Sequence, residues 1–242
     1  MSQKILFKAC YPWFFEVAPK PIPASKNLPE WFRKMSPYLS VPNNPSGKSF
    51  SIMNLIANTT GKKCVPMLDA LTSGYLIPLW SDVYVDATSE TKPPAITWRV
   101  SRPVFAMHGD QKEGVEAPED FHLQPFKYLN YWRIITPPGY SILVTQPLGF
   151  RNTNLQAIPA VIDTDKSKLQ ILFPVWIKKG FKGVIEKVTP IAQVTPFKRE
   201  NWQAEYSTYS NETDYQNLED ANFGSNLISN YVRREWSKKT YE

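Results

Sequence analysis

Proline sets the first limit on this chain. Its 242 residues contain 22 Pro against only 10 Gly, close to twice the usual proline share of ~5%. A proline inside a helix removes a donor and clashes with the preceding turn, and a central strand ladder excludes it. An all-helical bundle is therefore ruled out, and the elements must be short. Between the prolines the chain reads as strands: "YLIPLWSDVYVDA" over 75–87 with an interruption at Pro78, "AITWRV" over 95–100, "FKYLNYWRIIT" and "YSILVTQP" either side of "TPPG", then "QAIPAVIDT", "KLQILFPVWI", "GVIEKV" and "TPIAQVTPF". Many short strands ended by Pro or Gly predict a mainly β fold, a jelly-roll-like or cupin-like β-sandwich.

The sandwich core is expected over 49–202, opening with a strand "SFSIMNLI". Residues 1–48 form a Pro-rich, aromatic arm suited to wrapping it, with one helical turn at "LPEWFRKM". "LDALTSG" allows a further helical turn closed by Gly74. Residues 203–242 read as a polar linker and a short C-terminal amphipathic helix over 226–241. Two Thr-Pro steps punctuate the strands. In "TPPG", Pro137 and Pro138 hold their preceding residues extended, and Gly139 supplies a positive φ. In "KVTPIAQV", Pro190 suits an edge, a bulge or a strand start.

Charge is 28 − 22 = +6, with a pI near 9.1. The basic residues are scattered in short clusters, so a solvated basic face accounts for them and nucleic acid is only weakly supported. Cys10 and Cys64 stand far apart and make neither a zinc ribbon nor a dithiol redox site. No apolar run approaches the ~18 residues of a membrane span. A protein without membrane contact, made in a reducing compartment, is expected.

Catalytic signatures are incomplete. P-loop, dinucleotide-fold, hydrolase-elbow and zincin motifs are missing. His108-Gly109-Asp110 has the spacing of two of the three facial ligands in jelly-roll iron oxygenases. The alternative reading is thus a cupin-like Fe(II)-dependent oxygenase using His108 and Asp110. The other histidine, His122, lies only fourteen residues later in the same loop-like stretch, where a late-strand third ligand would not fall. A polar "HGDQ" turn is the competing reading. Asp163-Thr164-Asp165 opens like a calcium loop but lacks its Gly and Glu, which leaves a charged turn. "IAQ" at 191–193 is similar to a strand of trimeric dUTPases, and a buried Gln193 explains it equally well.

The strongest binding expectation is a surface. If 126–133 is one strand, Lys127, Leu129, Tyr131 and Arg133 share a face beside the rigid 136–139 corner. Lys198, Arg199 and Trp202 extend it if the last strand lies adjacent. Tyr131, Arg133, Lys198, Arg199 and Trp202 then line an anion-tolerant groove, against the alternative of an ordinary solvated sheet face.

The blocks "KCVPMLDALTSGYLI", "WRIITPPGYSILVTQP", "AVIDTD", "ILFPVWI" and "VTPIAQVTPF", followed by Lys198 to Trp202, resemble a family of conserved hypothetical proteins of tailed marine bacteriophages. They are more distantly similar to a bacterial domain of unknown function with the same order of blocks. The resemblance spans about residues 60–202. It implies no activity and does not include an HxD at His108. It implies a protein made in the cytoplasm of an infected bacterium, or carried in the virion. A non-enzymatic binding or assembly role, with a protein partner or self-association, fits both the resemblance and the aromatic arms.

Overall fold

A computed structural model describes residues 3–39, 59–109, 113–151, 154–167, 169–208, 212, 213, 215–217 and 231–242. In chain order the strands are β1 (Leu6–Ala9), β2 (Ile22–Pro23), β3 (Tyr75–Pro78), β4 (Val83–Asp86), β5 (Ala95–Trp98), β6 (Phe105–Met107) and β7 (Phe126–Leu129). There follow β8 (Trp132–Ile135), β9 (Tyr140–Thr145), β10 (Leu155–Ala157), β11 (Ala160–Ile162), β12 (Leu172–Ile177), β13 (Lys182–Ile185) and β14 (Pro190–Lys198). The α-helices are short: α1 (Pro12–Val17), α2 (Glu30–Lys34) and α3 (Val65–Thr72). The fold is mainly β, as the proline and strand pattern predicts.

The chain divides into two compact units, one of Met1–Asn27 with Gly74–Arg199, the other of Leu28–Ser73 with Glu200–Glu242. All the strands above lie in the first. They make four antiparallel sheets ordered β11-β9-β14-β3-β2, β10-β12-β7-β6, β13-β4-β5 and β1-β8. Phe126, Tyr128, Phe173 and Val175 of the four-stranded sheet and Ile142, Val144 and Val194 of the five-stranded sheet are buried. Tyr128 joins the two sheets: its Oη donates to Pro78 O at 2.7 Å and accepts the Trp80 N–H at 3.1 Å. Burial drives its phenol far above the usual tyrosine value.

Three runs expected to be single strands are each divided between sheets. Residues 75–87 break between β3 and β4, and 126–136 break between β7 and β8. Asn130 makes the second break. Wholly buried, it donates from Nδ2 to Trp132 O at 2.8 Å and accepts the Trp132 N–H at Oδ1 at 3.2 Å. The side-chain amide thus takes the place of a strand neighbour, and β8 leaves the four-stranded sheet to pair with β1, Lys8 opposite Arg133. "QAIPAVI" likewise breaks between β10 and β11, at Ile158-Pro159.

The corners follow the sequence more closely. Tyr140 N–H bonds Pro137 O at 3.2 Å, and Gly139 has φ 83°. With Pro at the second position and positive φ at the third, this is a type II turn. Pro190 opens β14 beside a register shift before Ala192. Gly74, at φ 66°, lies against β14; a Cβ there would stand 2.0 Å from Val194 O.

In the second unit, α2 starts after Pro29 and buries Phe32. The C-terminal helix expected over 226–241 is not continuous. A π-helical turn covers Tyr231–Glu235 and residues 236–242 are irregular. There the side chains are drawn to Asp69: Trp236 Nε1 donates to it at 2.9 Å and Lys239 Nζ at 2.6 Å. Burial pushes the Asp69 carboxyl up, but these two donors outweigh it and hold the group below its ordinary value. The strand expected at 49–56 and the helix residues 226–230 lie outside the described residues. No described helix is long and apolar enough to cross a membrane.

Candidate functional site

The five residues expected to line one groove have different fates. Tyr131 is only 7% exposed. Its ring packs against Phe14, Trp80, Trp13 and Tyr11 at centroid distances of 5.3–6.0 Å, and its Oη donates to Pro103 O at 3.0 Å. Burial raises its phenol. The cause is the break at Asn130: Tyr131 leaves the strand alternation and turns into an aromatic cluster completed by α1. "YPWFF" is thus core as well as covering, with Phe14 wholly buried and edge-on to Trp132 at 5.4 Å.

Arg133 and Arg199 converge, but on a turn of their own chain. Arg133 Nη2 donates to Ser167 O at 3.2 Å, while its Nε is buried without a partner. Arg199 Nη1 donates to Asp165 Oδ1 at 2.9 Å and Nη2 to Asp165 Oδ2 at 2.5 Å. It also reaches Asp163 Oδ1 at 3.3 Å, Ser141 Oγ at 2.9 Å and Tyr140 O at 2.9 Å. The main chain closes the arrangement. Gly139 N–H donates to Asp165 Oδ2 at 2.8 Å, and Arg199 N–H donates to Gly139 O at 2.8 Å. Beneath it Thr136 and Thr164 share a buried hydroxyl bond of 2.7 Å. The Arg199 guanidinium holds the Asp165 carboxyl well below the usual carboxylate range. The Asp-Thr-Asp turn is therefore a clamp on the 136–139 corner. Sequence reading finds the two carboxylates but misses their cation, which the fold brings from the end of β14. Lys198 is exposed on that strand. Trp202 is 88% exposed and belongs to the other unit.

His108 is half-buried. Its N–H bonds Pro125 O at 3.0 Å, its carbonyl accepts from Gln124 Nε2 at 2.8 Å, and its Nδ1 is buried without a partner. Asp110 lies outside the described residues. His122 is buried with Nε2 3.0 Å from Ala87 O. Among the described residues no three His, Cys, Asp or Glu side chains gather as a metal site would require. Gln193 is wholly buried, as expected, and its Oε1 accepts the Leu148 N–H at 2.8 Å.

Among the clefts of the first unit, two contrast in polarity. One, of about 400 Å³, is mixed in polarity, lined among others by Glu90, Lys92, Glu119, His122 and Lys179. The other, of about 520 Å³, is apolar and runs along β1 and α1, with Leu6, Phe7, Lys8, Tyr11, Pro12 and Phe15 on its walls. The side chains of Leu6, Tyr11 and Phe15 are exposed there.

No family model matches the chain, and comparison with curated proteins and with solved structures finds no match.

Proposed function

We propose that this chain is a non-enzymatic binding and assembly protein of the tailed-bacteriophage type, built on a jelly-roll-like sandwich and acting in the infected bacterium or in the virion. One observation carries the reading: polar side chains of the interior are spent on holding the chain. Tyr128, Asn130, His122 and Gln193 each engage main-chain atoms in the interior. Arg199, the cation best placed to receive an anion, faces two carboxylates of its own chain. Aromatic and apolar side chains are left open to solvent, among them those of the β1 cleft, Trp202 and Tyr206. Such surface is characteristic of protein contacts. The resemblance of residues 60–202 to phage proteins supports the same reading, and a protein partner suits this surface better than nucleic acid.

Mass spectrometry of purified particles of a phage that encodes the chain tests it, alongside metal analysis of the purified protein. The expected result is the chain in particles or bound to a particle protein. Stoichiometric iron with 2-oxoglutarate turnover, both lost in His108→Ala, would overturn the reading in favour of the oxygenase.

A further inference from the structure

Strand β1 belongs to a two-stranded sheet whose other member is β8. Among the described residues one long side of β1 therefore has no strand beside it. Residues of β1 also line the apolar cleft, with Leu6, Phe7, Tyr11 and Phe15 on its walls. An unpaired edge beside apolar side chains is a template for an added strand, because the main chain supplies affinity and the cleft receives alternate side chains. The rim is cationic. Lys8 lies in the cleft, Lys20 Nζ stands 4.6 Å over the Phe15 ring, and the Arg102 guanidinium lies 5.8 Å from the Tyr11 ring.

The same chain carries a segment with the opposite properties. Residues 201–208 have no regular secondary structure. Trp202 is 88% and Tyr206 95% exposed. In an extended conformation Trp202, Ala204 and Tyr206 fall on one face, because side chains alternate. The acidic residue of this stretch, Glu205, matches the cationic rim. A strand edge with an apolar cleft and a cationic rim meets a strand-length segment with two aromatic anchors and a carboxylate.

We propose that the Asn201–Tyr206 segment of one copy docks along β1 of a second copy, Trp202 entering the apolar cleft, and that reciprocal exchange closes a dimer. The inference deepens the assembly reading above and rests on it. Two equal contacts related by a twofold axis leave neither edge nor arm unsatisfied.

Sedimentation equilibrium on the full-length protein tests this. The unaltered chain is expected to be dimeric. Trp202→Ser with Tyr206→Ser should weaken dimerisation by at least about thirtyfold, the scale of losing a buried aromatic anchor. Leu6→Lys should do the same from the cleft side. All three side chains are exposed, so circular dichroism should be unchanged. A second measurement fixes the geometry. Cys10 follows β1 and is exposed with a free thiol. Oxidised Ala204→Cys should run as a covalent dimer, and adding Cys10→Ser should abolish it. A monomer at all concentrations, a dimer indifferent to both sets of variants, or a crosslink within one chain would overturn the proposal. A monomeric chain still found in particles overturns this contact alone, whereas iron-dependent turnover overturns the assembly reading itself.

Discussion

The two Thr-Pro corners begin from similar sequence and solve the same problem differently. At 136–139 the residue that must take a positive φ is Gly139, and the turn is braced by Arg199 and Asp165. Before β14 the residue in that region is Val188, at φ 75°, the one non-glycine residue with positive φ among the described residues. A β-branched side chain there is strained. Hydrogen bonds to neighbouring parts of the chain hold it. Val188 N–H donates to Leu79 O at 2.8 Å, Leu79 N–H to Thr189 O at 2.8 Å, and Lys187 N–H to Asp82 Oδ1 at 2.6 Å. A Thr-Pro step therefore marks where a strand begins without deciding the strain in the turn beside it. Strain persists where the surrounding bonds leave the backbone no alternative.

Exchanging the two residues should break this contrast most sharply. Nothing lies within 4 Å of a Cβ built on Gly139, so Gly139→Val meets no clash and isolates the backbone term. It should destabilise by about 2 kcal/mol, measured by urea denaturation at neutral pH. At the other corner Val188→Asn should stabilise by about 1 kcal/mol, because Asn tolerates the left-handed region and the valine is exposed. Val188→Gly should gain only about half as much, since glycine also frees the unfolded chain. Destabilisation by both Val188 variants would mean that the valine is not strained.

The smallest effect at neutral pH belongs to the carboxylate that braces the first corner. Unfolded, Asp165 titrates near ~3.9; folded, Arg199 holds it lower. Its contribution is therefore complete above about pH 4 and is lost as pH falls through the folded value. Asp165→Asn should flatten the acid limb of a pH–stability profile, and an unchanged limb would remove Asp165 from the brace.

The strand content of the chain was legible because proline and β-branched residues act locally. Gly74 as a stop, Gly139 as a turn and Pro190 as a strand start follow from one residue's own backbone limits. The changes of sheet were not legible. A run such as "FKYLNYWRI" reads the same whether its second half keeps or changes neighbours. The one local sign was Asn130, a polar residue among aromatics, whose role shows only once its amide is seen bonding Trp132. The expected groove failed as a single face for that reason, since Tyr131 lies beyond the break. The clamp was half legible: Asp163 and Asp165 stand out together, but nothing in the sequence ties them to Arg199.

Pairing of β1 with β8 also has a consequence in time. Leu6 lies opposite Ile135, so β1, once made, waits for its neighbour until β8 has been made. At elongation rates of about 5–20 residues per second that interval is roughly 6–26 s. Throughout it Leu6, Phe7 and the aromatic residues of α1 are exposed on the nascent polypeptide. Neighbouring ribosomes on one message would bring several such segments close together, which favours chaperone capture or premature contact between sister chains before either has folded.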